Sequence, residues 1–416
     1  MAMSPPLTLL LFLMALTVAA ASSSAIHISL THIDSNSNLT HTDLITRAVA
    51  RANRRLSTVQ YRSFSLSTDG NEYYMKIGVG TPPKNFHVVV DTGSDVFWTV
   101  GFDPRHSSTY RVIPCKSRRC APRIPFLRLC DPRGNCTYEL HYGDGSGTNG
   151  TMALETITLG TARGPVSVPD VAFGRSVSTS GNTLTMLDGI VGFGRGKSSL
   201  IWNFQQISQL GVDRFSYCLA PFGSSRLVLG RDDGEAIKQS PSTVTIPLLC
   251  KLWWSFYNVD LVGISVDGTA LPIPKNAFAT NWFVKPGVIL DSGTTFTYLI
   301  RSAYEPLKRA FVAKVVGFAA VDGAGYGFDV CFKTGEAAGE RLRFPGLVFH
   351  FRGGIDLELP RENYMIGLVK EGVHCLGIMG IDGISVLGSY FQRDFWVDYD
   401  LKNNLVSFTP AKCVHG

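Results

Sequence analysis

The chain has 416 residues, of which 45% are hydrophobic, 11% aromatic and 17% charged, enough for one large buried core or two. Its formal net charge is +6, but it contains no long Lys/Arg block and no basic residues interleaved with aromatics. Nucleic-acid binding therefore has little support, and an ordinary solvated basic surface is favoured. Short runs of Thr, Val, Phe and Tyr between clusters of turn residues predict a mostly β fold with many turns.

Residues 1–24 are predicted to be a secretory signal peptide. Leu7 to Ala21 is an apolar run that ends in small residues and is too short to span a bilayer comfortably, although no Lys or Arg precedes it. No later segment is long and apolar enough for a transmembrane helix, and the C-terminal SFTPAKCVHG is polar, so we expect no membrane anchor in the mature form. Sequons at Asn38, Asn135 and Asn149 support secretion weakly.

Residues 25–70 differ in composition from the remainder of the chain. Residues 43–60, DLITRAVARANRRLSTVQ, form a helix-like stretch with apolar residues among arginines. One interpretation is a removable pro-segment whose cations pair with carboxylates of the folded enzyme. The alternative is a solvated helix or a disordered tail. The position between a leader and the first clear strand favours the pro-segment.

From Glu72 the pattern becomes β, with a strand, a turn at Gly80-Thr-Pro-Pro and a second strand that ends in an apolar run. Similar units continue to the end of the chain. Two segments predict helices, Ser198 to Leu210 and Ser302 to Val316. In the second, apolar residues recur every fourth position, at Ala303, Leu307, Phe311 and Val315.

An internal repeat divides the β region into two halves. VVVDTGSDVFW surrounds Asp91, and VILDSGTTFTY surrounds Asp291. Each is followed about one hundred residues later by two apolar residues and a glycine, in DGIVGFG from Asp188 and ISVLGS from Ile384. This order predicts a duplication around a central cleft, with one carboxylate from each half.

Each motif has Asp at the end of an apolar strand, then a hydroxyl residue, Gly and a second hydroxyl residue. Gly permits a tight turn and close backbone approach, the last hydroxyl can orient the carboxylate, and the first can bond to the backbone of the opposite loop. We expect the two aspartates to be catalytic and the other six residues to support them. The eight residues are Asp91, Thr92, Gly93, Ser94, Asp291, Ser292, Gly293 and Thr294.

Two carboxylates within hydrogen-bond distance cannot both ionise freely, so such a pair shares one proton over a range of acidic pH. The ionised member can take a proton from a bound water, and the protonated member can donate to a peptide carbonyl. No metal, cofactor or covalent intermediate is required. One such motif arises by chance in roughly a few per cent of chains of this length, but two copies behind apolar strands argue against ordinary Asp-initiated turns.

From about residue 70 to its end, the chain resembles the pepsin-like aspartic peptidases and, within them, the plant nepenthesin-like branch. The branch markers are FSYCL from Phe215, GFGRG from Gly192, Phe256-Tyr followed by VGISV from Val262, and Tyr138 to Gly145, which ends in YGDG. The resemblance implies a mostly β, bilobal pepsin-like acid protease fold, with two pseudo-twofold-related β lobes, residues 71–238 and 239–416, and a cleft between them. The preceding residues resemble the basic pro-segment of the family.

What the resemblance implies for function is an endopeptidase. With the predicted signal peptide we expect it to be secreted, either extracellular (apoplast) or vacuolar, and a monomer is the default expectation. It would cleave protein or peptide substrates between bulky apolar residues without a metal or cofactor. Tyr142 matches the tyrosine of the substrate-covering hairpin, the flap, with Gly143 beside it, and Trp98 matches the tryptophan that hydrogen-bonds this tyrosine. From the residues alone, YGDGSG reads as a hairpin tip, which could also be a plain surface hairpin.

Nine cysteines fit an oxidising compartment. The resemblance implies four disulfides and leaves Cys250 as a buried apolar side chain or an interchain partner; spacing alone does not give the connectivity. The implied pairs are Cys115–Cys136, Cys120–Cys130, Cys218–Cys413 and Cys331–Cys375.

The chain departs from the branch after Trp98, where a longer insertion with three cysteines is missing. In the branch one of those cysteines pairs with the cysteine of a Phe-Gly-Cys element. That partner is missing too, since Phe173-Gly174 is followed here by Arg175. The joint absence favours structural accommodation of the deletion. A skipped exon would explain the deletion but not Arg175.

Two other functions compete with that of an enzyme. One is a non-catalytic, glycosidase-inhibitor-like binding protein of the same fold; the other is a structural cell-wall or adhesion protein. Intact catalytic motifs and an intact flap tyrosine favour the enzyme.

The charge of the mature chain bears on its pH optimum. Loss of residues 1–69, with five arginines and three aspartates, would leave a net charge of +4. From this charge we expect peptidase activity to be highest at mildly acidic pH.

Overall fold

The structure is a computed structural model. The residues it describes are 25–35, 43, 45, 47–48, 73–120, 129–142, 146–161, 164–181, 187–206, 212–221, 223–230, 240–249, 255–279, 287–335 and 343–413. The predicted signal peptide 1–24, most of residues 36–72, Gly143, Cys250 and the boundary expected at 238–239 lie outside this part of the chain.

Short strands dominate both halves of the chain. Those of the first half are β1 (Ile26–His32), β2 (Tyr73–Val79), β3 (Lys84–Asp91), β4 (Trp98–Thr99), β5 (Arg111–Val112), β6 (Thr137–His141), β7 (Gly147–Leu159), β8 (Val166–Ser180), β9 (Gly189–Gly192), β10 (Arg214–Cys218) and β11 (Ser224–Leu229).

The second half continues the pattern. Its strands are β12 (Val244–Leu249), β13 (Tyr257–Val259), β14 (Leu261–Val266), β15 (Thr269–Ala270), β16 (Val288–Leu290), β17 (Thr297–Ile300), β18 (Ala319–Asp322), β19 (Val330–Lys333), β20 (Leu347–Phe351), β21 (Ile355–Leu359), β22 (Met365–Leu368), β23 (Val373–Leu376), β24 (Ile378–Ile381), β25 (Ser385–Leu387), β26 (Phe395–Asp400) and β27 (Leu405–Pro410).

Helices are few and short, as the sequence predicts. They are α1 (Leu200–Gln206), α2 (Arg301–Lys314) and α3 (Ser389–Gln392), with 3-10 turns at Pro104–His106, Ala324–Tyr326, Arg361–Asn363 and Val369–Glu371. The periodic residues Ala303, Leu307 and Phe311 of α2 face inward and are buried. The fourth, Val315, is the first residue after the helix. Among the described residues, no helix is long and apolar enough to cross a membrane.

The two lobes share six antiparallel strands of one large sheet, in the order β1-β11-β10-β26-β27-β12. We call these six strands the shared sheet. The β10–β26 pair joins the halves, with Phe215 opposite Tyr399 and Tyr217 opposite Val397. The mostly β, two-lobed architecture predicted from the sequence is therefore confirmed, and this shared sheet lies where the lobes meet.

Strand β1 is a feature that the sequence interpretation missed. Residues 26–32, assigned to the predicted pro-segment, pair with β11 over six positions and with the start of β2. Ile26, Ile28 and Leu30 alternate with more exposed residues and are buried in the main core. The first part of the predicted pro-segment is thus an integral strand of the shared sheet.

The internal repeat is visible in the strand pairings. In the first half β3 runs parallel to β9, which places Asp91 opposite Gly192. In the second half β16 runs parallel to β25, which places Leu290 opposite Leu387. Both faces of β3 are covered, since Val88 and Val90 belong to one apolar cluster and Val89 to another. Each aspartate therefore ends or follows a rigid, buried strand.

Four disulfides link the described cysteines, and two of them correct the implied pairing. Cys218–Cys413 and Cys331–Cys375 are as the resemblance implied. The other two are Cys115–Cys130 and Cys120–Cys136, not Cys115–Cys136 and Cys120–Cys130.

The path of the chain explains this exchange of partners. The N–H of Cys136 donates to the carbonyl of Ile113, which places Cys136 beside the buried Ile113 rather than beside Cys115. Cys120 and Cys136 are both buried and meet on the inner side, while Cys115 and the exposed Cys130 meet on the outer side. Their Cα atoms are 5.6 Å and 5.8 Å apart respectively, the usual separation for a disulfide.

Candidate active site

The two predicted catalytic loops meet and interlock at the junction of the lobes. The backbone N–H of Thr92 donates to Ser292 Oγ at 3.1 Å, and the N–H of Ser292 donates to Thr92 Oγ1 at 2.9 Å. Each hydroxyl also donates to a carbonyl of the opposite strand, Ser292 to Val90 at 3.0 Å and Thr92 to Leu290 at 3.4 Å. These reciprocal bonds between residues 200 positions apart hold the two loops in one arrangement.

Each carboxylate is oriented by its own loop in the same way. Gly93 N–H donates to Asp91 Oδ1 at 2.8 Å, and Ser94 Oγ donates to Oδ2 at 2.5 Å. In the other loop, Gly293 N–H donates to Asp291 Oδ1 at 2.8 Å and Thr294 Oγ1 donates to Oδ2 at 2.6 Å. The pair thus has the near-twofold symmetry predicted from the repeat.

Both motif glycines are required because each lies against the carboxylate of the other loop. A Cβ built on Gly93 would lie 2.5 Å from Asp291 Cγ, and one on Gly293 would lie 2.4 Å from Asp91 Oδ1. No side chain fits at either position without displacing a carboxylate. The close backbone approach expected from the sequence therefore brings Asp91 and Asp291 together across two glycines.

Burial and mutual charge govern protonation of the pair. Asp91 is 1% exposed and Asp291 0% exposed. Burial raises the pKa of Asp91 well above its usual range, and the charge of Asp291 raises it further, against the opposing effect of the Ser94 hydrogen bond. One proton therefore stays on the pair to a higher pH than on an isolated carboxyl group.

The repeat element of each half supports the aspartate-containing loop of that half through the backbone. Phe193 N–H donates to the carbonyl of Asp91 at 2.7 Å, and Asp291 N–H donates to the carbonyl of Leu387 at 3.2 Å. Ser389 N–H donates to the carbonyl of Thr294 at 2.6 Å. These contacts give the apolar-apolar-Gly elements a specific structural role that their spacing alone did not reveal.

The predicted flap residues also meet. Trp98 Nε1–H donates to Tyr142 Oη at 2.6 Å, and both side chains are buried. Tyr142 N–H donates to the carbonyl of Ser146 at 2.8 Å, next to the last β6–β7 pair, His141 and Gly147. Tyr142 therefore lies at the tip of a hairpin; Gly143 lies outside the described residues.

The shortened segment after Trp98 closes without a gap in the fold. Thr99 pairs with Arg175 in parallel β4 and β8, and Arg175 Nε donates to the carbonyl of Phe102 at 3.4 Å. Phe102 is buried against Phe173, with ring centroids 5.2 Å apart. Arg175 and Phe102 thus contact each other and pack into the first lobe, which favours accommodation of the deletion.

No group of three or more His, Cys, Asp or Glu side chains in the described ranges is arranged to hold a metal ion.

The sequence analysis missed several polar residues that are buried beneath the two aspartates. They include Tyr217, Tyr257, Tyr399 and Gln392. For Tyr217 the available signal was its place in FSYCL, as a tyrosine within a buried strand. The hydrogen-bond partners of Tyr217 are distant in sequence and can be identified only from the fold.

Comparison with known proteins gives consistent matches over nearly the whole described region. Residues 73–231 match the family model described as xylanase inhibitor N-terminal, and residues 256–410 match xylanase inhibitor C-terminal. Aspartic proteinase nepenthesin-1 of Nepenthes gracilis is 37% identical, covering 93% of this chain and 90% of the relative. Nepenthesin-2 of the same plant is 35% identical with the same coverage.

Solved structures agree on the fold. The crystal structure of basic 7S globulin from soybean aligns with a TM-score of 0.68 at 17% sequence identity, covering 94% of this chain and 97% of the other.

Proposed function

From the premise that this chain belongs to the nepenthesin-like branch of the pepsin-like aspartic proteinases, we propose that it is an aspartic endopeptidase that uses Asp91 and Asp291 at acidic pH. The observation that carries the proposal is the contact of two buried carboxylates across Gly93 and Gly293. Both carboxylates keep their orienting hydroxyls, Ser94 and Thr294.

The proposed reaction uses one proton shared by the pair. The ionised aspartate takes a proton from a water between the carboxylates as the water oxygen attacks the peptide carbonyl carbon. The protonated aspartate gives its proton to the carbonyl oxygen. When the resulting diol collapses, one of its hydroxyls returns a proton to the ionised aspartate, and the protonated aspartate gives its proton to the leaving amide nitrogen. The pair therefore ends the cycle with one proton, as it began. Tyr142, fixed by Trp98, would cover the substrate and exclude water.

We further propose a secreted precursor made of a signal peptide (1–24), a pro-segment (25–70), an N-terminal lobe (71–238) and a C-terminal lobe (239–416). Ile45 and Ala48 support the pro-segment, because they are buried in an apolar cluster of the second lobe with Phe296 and Tyr298, which closely follow Asp291. Arg47 pairs with the buried Asp34 at 3.6 Å, a contact within the segment itself.

A second candidate is a non-catalytic binding protein that recognises a glycosidase. It is favoured by one observation, that both matching family models are described as xylanase inhibitor domains. The complete dyad, with all four orienting hydrogen bonds, favours the peptidase over this candidate.

One experiment separates the two candidates. The full chain is expressed, acidified and assayed for cleavage of a denatured protein from pH 3 to 7, with and without pepstatin, beside Asp91→Asn and Asp291→Asn variants. Pepstatin-sensitive cleavage that both substitutions abolish supports the peptidase, and a maximum in mildly acidic conditions is expected. A folded, disulfide-bonded protein without cleavage at any pH, but with inhibition of a xylanase, would support the binding protein.

A further inference from the structure

A cluster of buried aromatic residues lies in the shared sheet beneath the two catalytic loops. Tyr399 stacks on Phe215 with centroids 4.5 Å apart and lies 4.5 Å from the ring of Tyr257 and 5.8 Å from that of Tyr217. All four side chains are fully buried. We call Tyr217, Tyr257 and Tyr399 the tyrosine floor.

One hydroxyl of the floor reaches the loop of the first lobe. Tyr257 Oη donates to the carbonyl of Phe193 at 2.7 Å, although Tyr257 belongs to β13 of the second half. The N–H of Phe193 donates in turn to the carbonyl of Asp91 at 2.7 Å. A residue of one lobe thereby holds the backbone that supports the catalytic carboxylate of the other.

A second connection reaches the loop of the other lobe. Tyr217 Oη donates to Gln392 Oε1 and lies 2.9 Å from Tyr399 Oη. Gln392, itself fully buried, donates through Nε2 to the carbonyls of Leu387 at 3.0 Å and Gly388 at 3.2 Å. The carbonyl of Leu387 also accepts the N–H of Asp291 at 3.2 Å. Tyr217 comes from the first half and Gln392 from the second.

Polar groups at these positions have a cost that apolar side chains of similar shape would avoid. A buried hydroxyl or amide loses its hydration and must be paired within the protein. Each floor hydroxyl stays a neutral donor, since burial raises the pKa of all three tyrosines. Two buried sets of hydrogen bonds, joined by the packing of the Tyr399 and Tyr257 rings, cost desolvation and end on the two catalytic loops. This arrangement indicates a role in positioning.

We propose that the tyrosine floor and Gln392 form a positioning network that sets the spacing of the two catalytic loops. It would thereby set the pH range over which Asp91 and Asp291 share a proton. The inference rests on the proposed peptidase function. None of the four residues is assigned to the chemistry itself. Tyr257 and Gln392 reach the loops through backbone carbonyls. Tyr217 and Tyr399 hydrogen-bond to each other and to the side chain of Thr92. Among the described residues, the charge of Asp291 raises the pKa of Asp91 and also those of the buried hydroxyls of Tyr217 and Tyr399.

The test compares Tyr217→Phe, Tyr257→Phe and Gln392→Met with Tyr364→Phe in the full chain after acid activation. Tyr364 is a matched control, since it is buried and donates to the carbonyl of Pro345 at 2.9 Å, away from both loops. Looser loops weaken the coupling of the carboxylates and so lower the pH at which their shared proton is lost. We expect the alkaline limb of kcat/KM to move to lower pH by about half a unit or more, and kcat to fall about tenfold, with KM changed less than about twofold. Tyr364→Phe should keep the alkaline limb of kcat/KM at the same pH as in the wild type.

A measurement that does not depend on activity accompanies the kinetics. The pH dependence of the free energy of unfolding, compared between each background and its Asp91→Asn derivative, reports proton uptake by the dyad. The floor variants should show this uptake at lower pH than the wild type. Variants that lose only thermal stability, with the same kinetic limb and proton uptake as Tyr364→Phe, would overturn the inference. An inactive wild type would instead overturn the proposed function, and the unfolding comparison would still decide the positioning role.

Discussion

Thr92 and Ser292 exchange backbone-to-hydroxyl hydrogen bonds across the junction of the lobes, each giving its N–H to the hydroxyl oxygen of the other. Both residues are buried, so no water can replace either partner. This reciprocal pair ties the two loops together and so helps to keep the two carboxylates face to face. Each lobe therefore depends on the other for the geometry of its own aspartate-containing loop.

Replacement of Thr92 by Val should destabilise the protein and reduce its activity. The substitution leaves the buried N–H of Ser292 unpaired, at a cost of about 1–3 kcal/mol in the free energy of unfolding. Urea unfolding measures this cost. Thr245→Val is the control: its hydroxyl pairs with Ser407 on an exposed part of the shared sheet, so a change of less than about 0.5 kcal/mol is expected. Equal losses in both variants would contradict a special role of the interlock.

Removal of the flap hydroxyl by Tyr142→Phe should impair catalysis more than folding. The change leaves the indole N–H of the buried Trp98 without its acceptor, so the flap loses its fixed position. We expect kcat/KM to fall by about one order of magnitude, corresponding to about 1.4 kcal/mol. Trp98→Phe in the Tyr142→Phe background removes the orphaned donor, and kinetics should show little further loss. Full additivity of the two changes would contradict their coupling.

Stability should rise as pH falls from 7 toward 4. Burial raises the pKa of Asp398 from 3.8 to about 6, although Arg214 lies 3.1 Å away. The folded protein holds this proton more tightly than the unfolded chain. Stability is therefore lost as pH rises from 3.8, the pKa in the unfolded chain, through about 6, by about 3 kcal/mol. The raised pKa of Asp91 makes stability depend on pH in the same direction.

Denaturant unfolding at several pH values checks this dependence. Asp398→Asn cannot ionise and should flatten the curve between pH 4 and 7. A curve with the wild-type slope in Asp398→Asn would contradict the assignment.

Disulfide mapping should find Cys115 linked to Cys130 and Cys120 linked to Cys136. Trypsin is suited to the test, because Lys116, Arg118 and Arg119 separate the first two cysteines and Arg133 separates the last two. Mass spectrometry of the unreduced digest then distinguishes the two connectivities directly. Linked peptides that join Cys115 to Cys136 would support the pairing implied by family resemblance instead.

The meeting of Asp91 and Asp291 could be predicted from the sequence because its signals are local. Each aspartate follows an apolar run and precedes a hydroxyl-Gly-hydroxyl turn, and the repeat supplied the long-range contact between Asp91 and Asp291. The alternation in IHISLTH was also a readable strand signal at residues 26–32, but their position before the presumed mature chain led to assignment as pro-segment. Connectivity among Cys115, Cys120, Cys130 and Cys136 depended on the path of a loop, which no spacing rule gives.

The buried polar network was beyond sequence reasoning for another reason. Tyr217 and Gln392 are 175 positions apart and belong to different lobes, and neither lies in a repeated motif. A tyrosine in a buried strand can be a core residue or a hydrogen-bond donor with a distant partner. Only the packing of β10 against β26 distinguishes these possibilities.

Strand β1 has a consequence for what a processed molecule would contain. His32 at its end lies opposite Tyr73 at the start of β2, so the chain leaves the shared sheet and returns to it at one place. A cut anywhere in residues 36–72 would leave residues 26–32 paired with β11 and inserted in the core. Processing at such a site would yield two polypeptides held without a covalent link, which would migrate together in a native gel and separate in a denaturing one.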